Sequence, residues 1–284
     1  MLQSISPNHD THHLRRRQNS LASLTASLHD GKKHLLLAAS GSVATIKLPL
    51  IVQALTSRHP PSTLSIRLLL TPYATRFLAG QSAEQPTVSA LHALPGVDGV
   101  YADADEWREP WKRGDGVLHI ELRRWAHLLV IAPLSANTMA KIAGGFADGL
   151  LTNVVRAWDA WGELDADVEE GEGGGSKEKK RIVVAPAMNT AMWRHPVTAK
   201  HLRVLEQEWG VNSTISSGGA NENEPSGETA DAGRRTEGWF EVLRPQQKTL
   251  VCGDVGDGAM MEWSAIVPII EDRLGLVAAG EEES

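Results

Sequence analysis

The stretch "RIVVAPAMNTAMWRHP", Arg181 to Pro196, decides how this chain is read. Its opening, Ile182, Val183, Val184 and Ala185, has the composition of a buried strand and stops at Pro186. A short polar element follows, with Asn189 between Met188 and Met192. In open α/β sheets ligands bind beyond the carboxyl ends of strands, so a site belongs at this turn. A Met-rich core turn would use the same residues. The surrounding segments decide between the two.

Outward from this strand, apolar runs alternate with helix signals from His34 onward, the pattern of a parallel sheet wrapped by helices. The expected strands are His34–Ala39, Leu64–Leu70, Ala126–Ala132, Arg181–Ala185 and Leu250–Cys252. The expected helices are Val43–Thr56 (kinked at Pro49), Tyr73–Leu78, Asn137–Ala143, Leu150–Trp161, Val197–Trp209 and Trp263–Leu274. The fold class is therefore α/β, a single doubly wound parallel sheet with polar insertions.

Two segments break the rhythm. Glu163–Lys180 has six acids before a triple glycine, and Val211–Gly238 is rich in Gly, Ser, Asn and Glu. Neither has enough apolar surface to offset its ordering entropy, so both are expected as mobile surface loops. The expected organisation is an N-terminal extension over 1–32, one domain over 33–276 with insertions at about 163–180 and 211–248, and an acidic tail over 277–284. The extension contains Arg15, Arg16, Arg17 and several serines but few acids; it is read as a disordered segment, although an organelle transit peptide shares this composition. The cytoplasm is the expected compartment.

Composition narrows the classes further. A formal net charge of −7 argues against a general nucleic-acid binder. A single cysteine excludes an internal disulfide framework and fits a reducing compartment. No apolar run approaches the length of a membrane span, and no metal site is expected. Nine Trp against three Phe and two Tyr suit core packing, and also a subunit contact.

Three further segments carry chemistry. "AASGSVATIK" places a small-residue turn, Gly41, Ser42, Val43 and Ala44, between a strand and a helix, where free N–H groups attract a phosphate. It matches neither a dinucleotide fingerprint nor a Walker loop. "APLSANT" gives a second such turn, with Ser135, Ala136, Asn137 and Thr138, which would also serve as an ordinary helix cap. "LVCGDVGDGAM" carries Cys252, the chain's one thiol, ahead of three glycines, a composition suited to a flap. A lone cysteine is also at home as a small buried hydrophobe. His119, in "VLHIELRRWA", is a lone histidine on a half-apolar segment, a pattern that is more often structural.

Taken together and in this order, "LLLAASGSVATIK", "HIELRRWA", "VIAPLSANTMAKIAGG", "PAMNTAMW" and "LVCGDVGDGAM" resemble the homo-oligomeric flavin-containing cysteine decarboxylases. The resemblance covers roughly Lys33–Trp158, Arg181–Glu208 and Leu250–Leu274, and is nearest to the branch that serves coenzyme A synthesis. It implies FMN as cofactor, held by Gly41, Ser42, Val43, Ala44, Thr71, Ser135, Ala136, Asn137, Thr138 and Met188. It implies that Asn189, Met192 and Val251 contact substrate and that His119 and Cys252 are catalytic. The implied reaction is decarboxylation of 4′-phospho-N-pantothenoylcysteine to 4′-phosphopantetheine by a homotrimer with shared active sites.

Two departures from the family stand out. Pro72, Tyr73 and Ala74 follow Thr71 where relatives commonly have small hydroxyl or basic residues, and Lys248–Thr249 stands where relatives often have two basic residues. Some fungal relatives are instead flavin-binding regulatory subunits of a protein phosphatase. Presence of His119, Asn189 and Cys252 together favours the enzyme. The cysteine segment argues against a prenyl-FMN synthase, and the closer match to the coenzyme A branch argues against a peptidyl-cysteine decarboxylase. A flavodoxin-type electron carrier is a weaker alternative.

Overall fold

The computed structural model describes residues 19–162, 164, 179–211, 238–249 and 255–277. The chain enters through helix α1 (Leu21–Ala26), followed by β1 (Lys33–Ala39), a 3-10 turn at Val43–Lys47 and α2 (Leu48–Arg58). Next come β2 (Leu64–Leu70), a 3-10 turn at Ala74–Phe77, α3 (Val88–His92), β3 (Val97–Ala102) and a 3-10 turn at Asp103–Asp105. The middle of the chain forms α4 (Leu118–Trp125), β4 (Leu128–Leu134), α5 (Ala136–Ala143) and α6 (Leu150–Arg156). Then follow β5 (Arg181–Pro186), α7 (Thr190–Arg194), α8 (Pro196–Arg203) with a π turn at Val204–Glu208, and β6 (Phe240–Val242). A ribbon of β7 (Gln246–Thr249) and β8 (Val255–Ala259) precedes α9 (Trp263–Leu274).

Strands β1 to β6 form one parallel sheet in the order β3-β2-β1-β4-β5-β6. Strand order reverses between β1 and β4, which makes their carboxyl ends the place for a ligand. The inner strands are buried on both faces, so they read as continuous apolar runs. Leu35, Leu37 and Ala39 point to a layer built with α2 and α9, while Leu36 and Ala38 meet α4, α5 and α6 on the other face. The ribbon β7–β8 is antiparallel and stands apart from this sheet.

The expected doubly wound fold is present, with corrections of detail. Pro49 falls in the first turn of α2, where a missing N–H costs nothing, so the helix starts there and is not kinked. The expected helix at Tyr73–Leu78 is a single 3-10 turn. The α6 helix ends at Arg156, short of Trp161. Two strands of the main sheet, β3 and β6, went unrecognised, as did the ribbon strands β7 and β8, and β6 lies inside the region expected as the second loop insertion. Leu250–Cys252, most of both insertions and the last seven residues lie outside the described residues.

The N-terminal boundary also moves. Asn19 lies against the edge of β3, its Nδ2 donating to Val100 O at 2.5 Å and its Oδ1 accepting from Val100 N–H at 3.1 Å. Leu24 is fully buried, and Ser23 and Ser27 accept hydrogen bonds from the buried Arg67 guanidinium at 3.2 and 3.4 Å. Arg67 also lies 5.0 Å over the Trp125 ring and donates to Tyr101 Oη. Burying a cation is costly unless it is well partnered, so α1 belongs to the domain that it helps to satisfy. An extension running to residue 32 is therefore too long.

Candidate active site

A cavity of about 720 Å³ opens at the carboxyl edge of the sheet. It is lined by the expected Gly41, Ser42, Val43, Thr71, Ser135, Ala136, Asn137, Thr138, Met188, Asn189 and Met192. These residues come from the turns after β1, β2, β4 and β5, which the parallel sheet brings to one edge. Ala44 packs against the core one residue behind the wall and does not line the cavity.

The turns are joined by a residue that sequence reasoning passed over. Ser40 is fully buried; its Oγ donates to Pro133 O at 3.0 Å and accepts from Ser135 N–H at 2.7 Å. Ser42 caps the first turn by accepting from Ala44 N–H, and Ser135 caps α5 by accepting from Thr138 N–H at 3.3 Å. The first N–H groups of α5 have no partner within the helix, so they point an electropositive end at the cavity. Gly41 is pressed against the turn after β2: a Cβ there would lie 2.5 Å from Tyr73 Cβ.

Polar residues the sequence reading did not select complete the wall. Lys141 is paired with Asp148 at 2.5 Å, which holds that carboxyl below its ordinary value. Asp103 accepts from Leu150 N–H at 3.1 Å, yet burial and the charges of Asp148 and Glu106 keep its carboxyl above the usual range. Arg76 also lines the cavity and has no ion-pair partner among the described residues. None of these follows a recognisable spacing; each reaches the wall through the fold.

Asn189 is the N-cap of α7, and its Oδ1 accepts from Met192 N–H at 2.8 Å. Using the carbonyl as the cap leaves the two Nδ2 donors facing outward, with no partner among the described residues. The same turn anchors the ribbon. Met188 N–H donates to Gly258 O at 2.9 Å, and Arg194 donates to Asp257 Oδ2 at 2.8 and 3.0 Å. A Cβ at Gly258 would lie 2.3 Å from Met188 O, so only glycine allows β8 to approach this closely. Val251 and Cys252, which follow β7 in the sequence, lie outside the described residues.

His119 does not line this cavity. It sits in the first turn of α4, whose buried Leu118, Leu122 and Trp125 follow helical spacing. Its Nδ1 contacts Glu106 Oε1, and Glu106 is otherwise buried. The adjacent "RR" pair is unequal: Arg123 is buried, whereas Arg124 faces solvent and meets Glu121 at 3.5 Å. His127, just before β4, accepts from His34 N–H at 2.9 Å and stacks on the His34 ring at 4.7 Å.

The Trp residues divide between core and surface. Trp125 and Trp158 are buried; Trp107 and Trp111 are exposed; Trp209 and Trp239 stack at 5.8 Å beside a second cavity of about 760 Å³. Among the described residues no group of three or more His, Cys, Asp or Glu could hold a metal ion, and no helix is long and apolar enough to cross a membrane.

A flavin mononucleotide fits what these residues offer. The volume suits a ligand of that size. Val43, Phe77, Leu151 and Met188 give apolar walls for a ring, and the Ser42 and α5 turns give N–H groups for a phosphate.

Comparison with known proteins places this geometry. A family model described as Flavoprotein matches residues 23–275. A probable thymidylate synthase of Schizosaccharomyces pombe is 40% identical over 88% of this chain, which spans 30% of that protein's length. A phosphopantothenoylcysteine decarboxylase of Arabidopsis thaliana is 38% identical over 83% of this chain and 82% of its own. Among solved structures, a cysteine-to-serine mutant of PPC decarboxylase complexed with pantothenoylaminoethenethiol is 36% identical, with a TM-score of 0.57 over 84% of this chain and 97% of that one. The FMN-binding protein AtHal3 is likewise 36% identical, with a TM-score of 0.57 over 87% of this chain and 99% of that one.

Proposed function

The chain belongs to the Flavoprotein family, and from that premise we propose that it decarboxylates 4′-phospho-N-pantothenoylcysteine to 4′-phosphopantetheine in coenzyme A synthesis, using FMN. The observation that carries this reading is the Asn189 turn. It presents neutral amide donors beside a flavin-sized cavity and anchors the ribbon whose two strands flank Cys252 in the sequence.

The reaction breaks the bond between the α-carbon and the carboxylate, releases CO2 and places one proton on that carbon. Bound FMN supplies a two-electron acceptor and donor at the thiol-bearing carbon, which gives the electrons of the breaking bond a place to go. The turns at Gly41–Val43, Thr71 and Ser135–Thr138, with Met188, hold the cofactor. Asn189 holds the substrate carboxylate by hydrogen bonds from Nδ2. A cation there would stabilise the carboxylate and oppose its loss, so neutral donors favour the transition state over the ground state. Cys252 delivers the proton. A thiol with an ordinary pKa near ~8.5 is protonated at neutral pH and acidic enough to give the proton up.

The same reading makes the assembly a homotrimer in which a second copy covers the cavity mouth. Its rim carries Tyr73, Val43 and Met192, which are 71%, 56% and 52% exposed. His119 stands away from the cavity of its own chain, which suits a site completed across a subunit boundary. The expected compartment is the cytoplasm.

The test is an assay of FMN-loaded protein with phosphopantothenoylcysteine, products followed by mass spectrometry. Wild type should release CO2 and form phosphopantetheine. Cys252→Ser should still bind FMN and release CO2 but stop at the unsaturated enethiol, because a serine hydroxyl is a far weaker acid. Normal phosphopantetheine formation by Cys252→Ser would refute the assigned proton donor. No CO2 from the wild type would refute the function.

A further inference from the structure

Glu106 has no part in the chemistry described so far, yet its carboxylate is held on three sides. Its side chain is only 2% exposed. Oε1 faces His119 Nδ1, Oε2 accepts from Asn153 Nδ2 at 2.8 Å, and the His119 backbone N–H is a further partner. Asn153 lies on α6, and the neighbouring Gly149, Leu151 and Thr152 line the flavin-sized cavity. Glu106 follows the Asp103–Asp105 turn, whose Asp103 accepts from the first N–H of α6. One short segment thus joins the start of α4, which carries His119, to the wall of the site.

We propose that Glu106 is a positioning residue for His119: it fixes the imidazole with its proton on Nδ1 and leaves Nε2 as the working nitrogen. The inference rests on the role of His119 in the decarboxylation proposed above.

Burial alone would push the Glu106 carboxyl up, but the hydrogen bonds from His119 and Asn153 outweigh it and hold the group below its ordinary value. It is therefore ionised at neutral pH and can only accept hydrogen bonds. Nδ1 must then be the protonated nitrogen, which puts the lone pair of the neutral ring on Nε2. Nε2 has no hydrogen-bond partner among the described residues, and the side chain is 21% exposed, so this nitrogen is open to a substrate. A base oriented by a buried third group is the recurring arrangement in proton-transfer sites. A purely structural role would need only the contact with the α4 backbone, since Val117 provides no side-chain cap there. The contact with the ring goes beyond it.

Two variants separate charge from tautomer. In Glu106→Gln the single amide oxygen can still accept from Nδ1–H, while Asn153 turns its own oxygen toward the new amide. The tautomer is kept and the charge is lost. Glu106→Leu removes both. With FMN-loaded protein, kcat should fall about 10-fold for Gln and about 100-fold for Leu, with KM and FMN affinity unchanged. Spectra of 15N-histidine-labelled protein should show Nε2 unprotonated in wild type and Glu106→Gln, and mixed tautomers in Glu106→Leu. A normal kcat for Glu106→Leu, or Nε2–H in the wild-type spectrum, would overturn the proposal. If Glu106→Leu does not fold, Glu106→Gln and the wild-type spectrum decide. His119→Asn is the control: if it remains fully active, the reading of His119 fails, whereas an inactive His119→Asn beside a normal Glu106→Leu sinks only the role of Glu106.

Discussion

Gly41→Ala asks whether the cavity depends on the close approach of two turns. The added methyl would lie 2.5 Å from Tyr73 Cβ, 3.5 Å from its Cγ and 3.6 Å from its carbonyl carbon. Non-bonded carbons rest at about 3.5–4.0 Å, so the first contact is too short by about 1 Å or more. Rotating the exposed Tyr73 ring does not help, because Cβ moves only with the backbone. Gly41 is not in a left-handed conformation, so alanine brings no backbone strain of its own. The turns must separate, at an overpacking cost of about 1–3 kcal/mol. Because both turns line the cofactor cavity, the cost should appear as a roughly 10–100-fold loss of FMN affinity, at about 1.4 kcal/mol per tenfold. Titration of apoprotein with FMN, followed by fluorescence quenching, measures it. Adding Tyr73→Gly removes the colliding atom and should restore affinity to within the ~0.5–1 kcal/mol that glycine itself costs. Wild-type affinity in Gly41→Ala, or no recovery in a folded double variant, would refute the reasoning.

Asn189→Asp should keep the α7 cap and the melting temperature but raise KM sharply, since a carboxylate would face a carboxylate; Asn189→Ala should in addition lose about 1 kcal/mol of stability in a urea titration. Arg76→Met should weaken binding of FMN while leaving riboflavin unaffected, as seen by fluorescence titration of both ligands, because Arg76 is a cavity cation with no ion-pair partner among the described residues. Stability should fall as pH drops from 6.5 toward 4. Burial, then the charges of His34, Lys180 and Lys33, lower His127 to about 4, and burial also lowers the stacked His34 against the opposing pull of Asp30. In that window the unfolded chain binds protons that the native chain refuses, so stability rises with pH through it. Urea midpoints at several pH values check the slope, and His127→Asp should make it shallower; a flat wild-type profile would count against the pairing.

The parallel sheet was legible because buried strands such as Leu64–Leu70 and Arg181–Pro186 leave continuous apolar runs with small polar turns behind them. What escaped had its apolar content diluted. In β3, "VDGVYA" carries Asp98, whose carboxylate accepts from Ser65 Oγ at 2.5 Å, a partner no local pattern reveals. In β6 three residues were hidden within polar surroundings, although Phe240 is buried. Helix α1 is ordered through Asn19 and the serines that serve Arg67, so its reason for folding lies in other strands. The cavity-lining turns were readable from "SGSV" and "LSANT", whereas Ser40, Arg76 and Glu106 owe their positions to tertiary contacts between turns.

The ribbon β7–β8 has a consequence for how such a protein can change over evolutionary time. Its strands pair only with each other, while the cofactor cavity is built from the turns of the main sheet. On the proposed roles, holding the cofactor and delivering the proton are thus encoded in separable pieces. On the proposed role of Cys252, rewriting the few codons between Thr249 and Val255 would remove the proton donor and leave the residues of the cavity-lining turns unchanged. Such a frame can surrender turnover in one short step and keep everything needed to be retained as a binding protein.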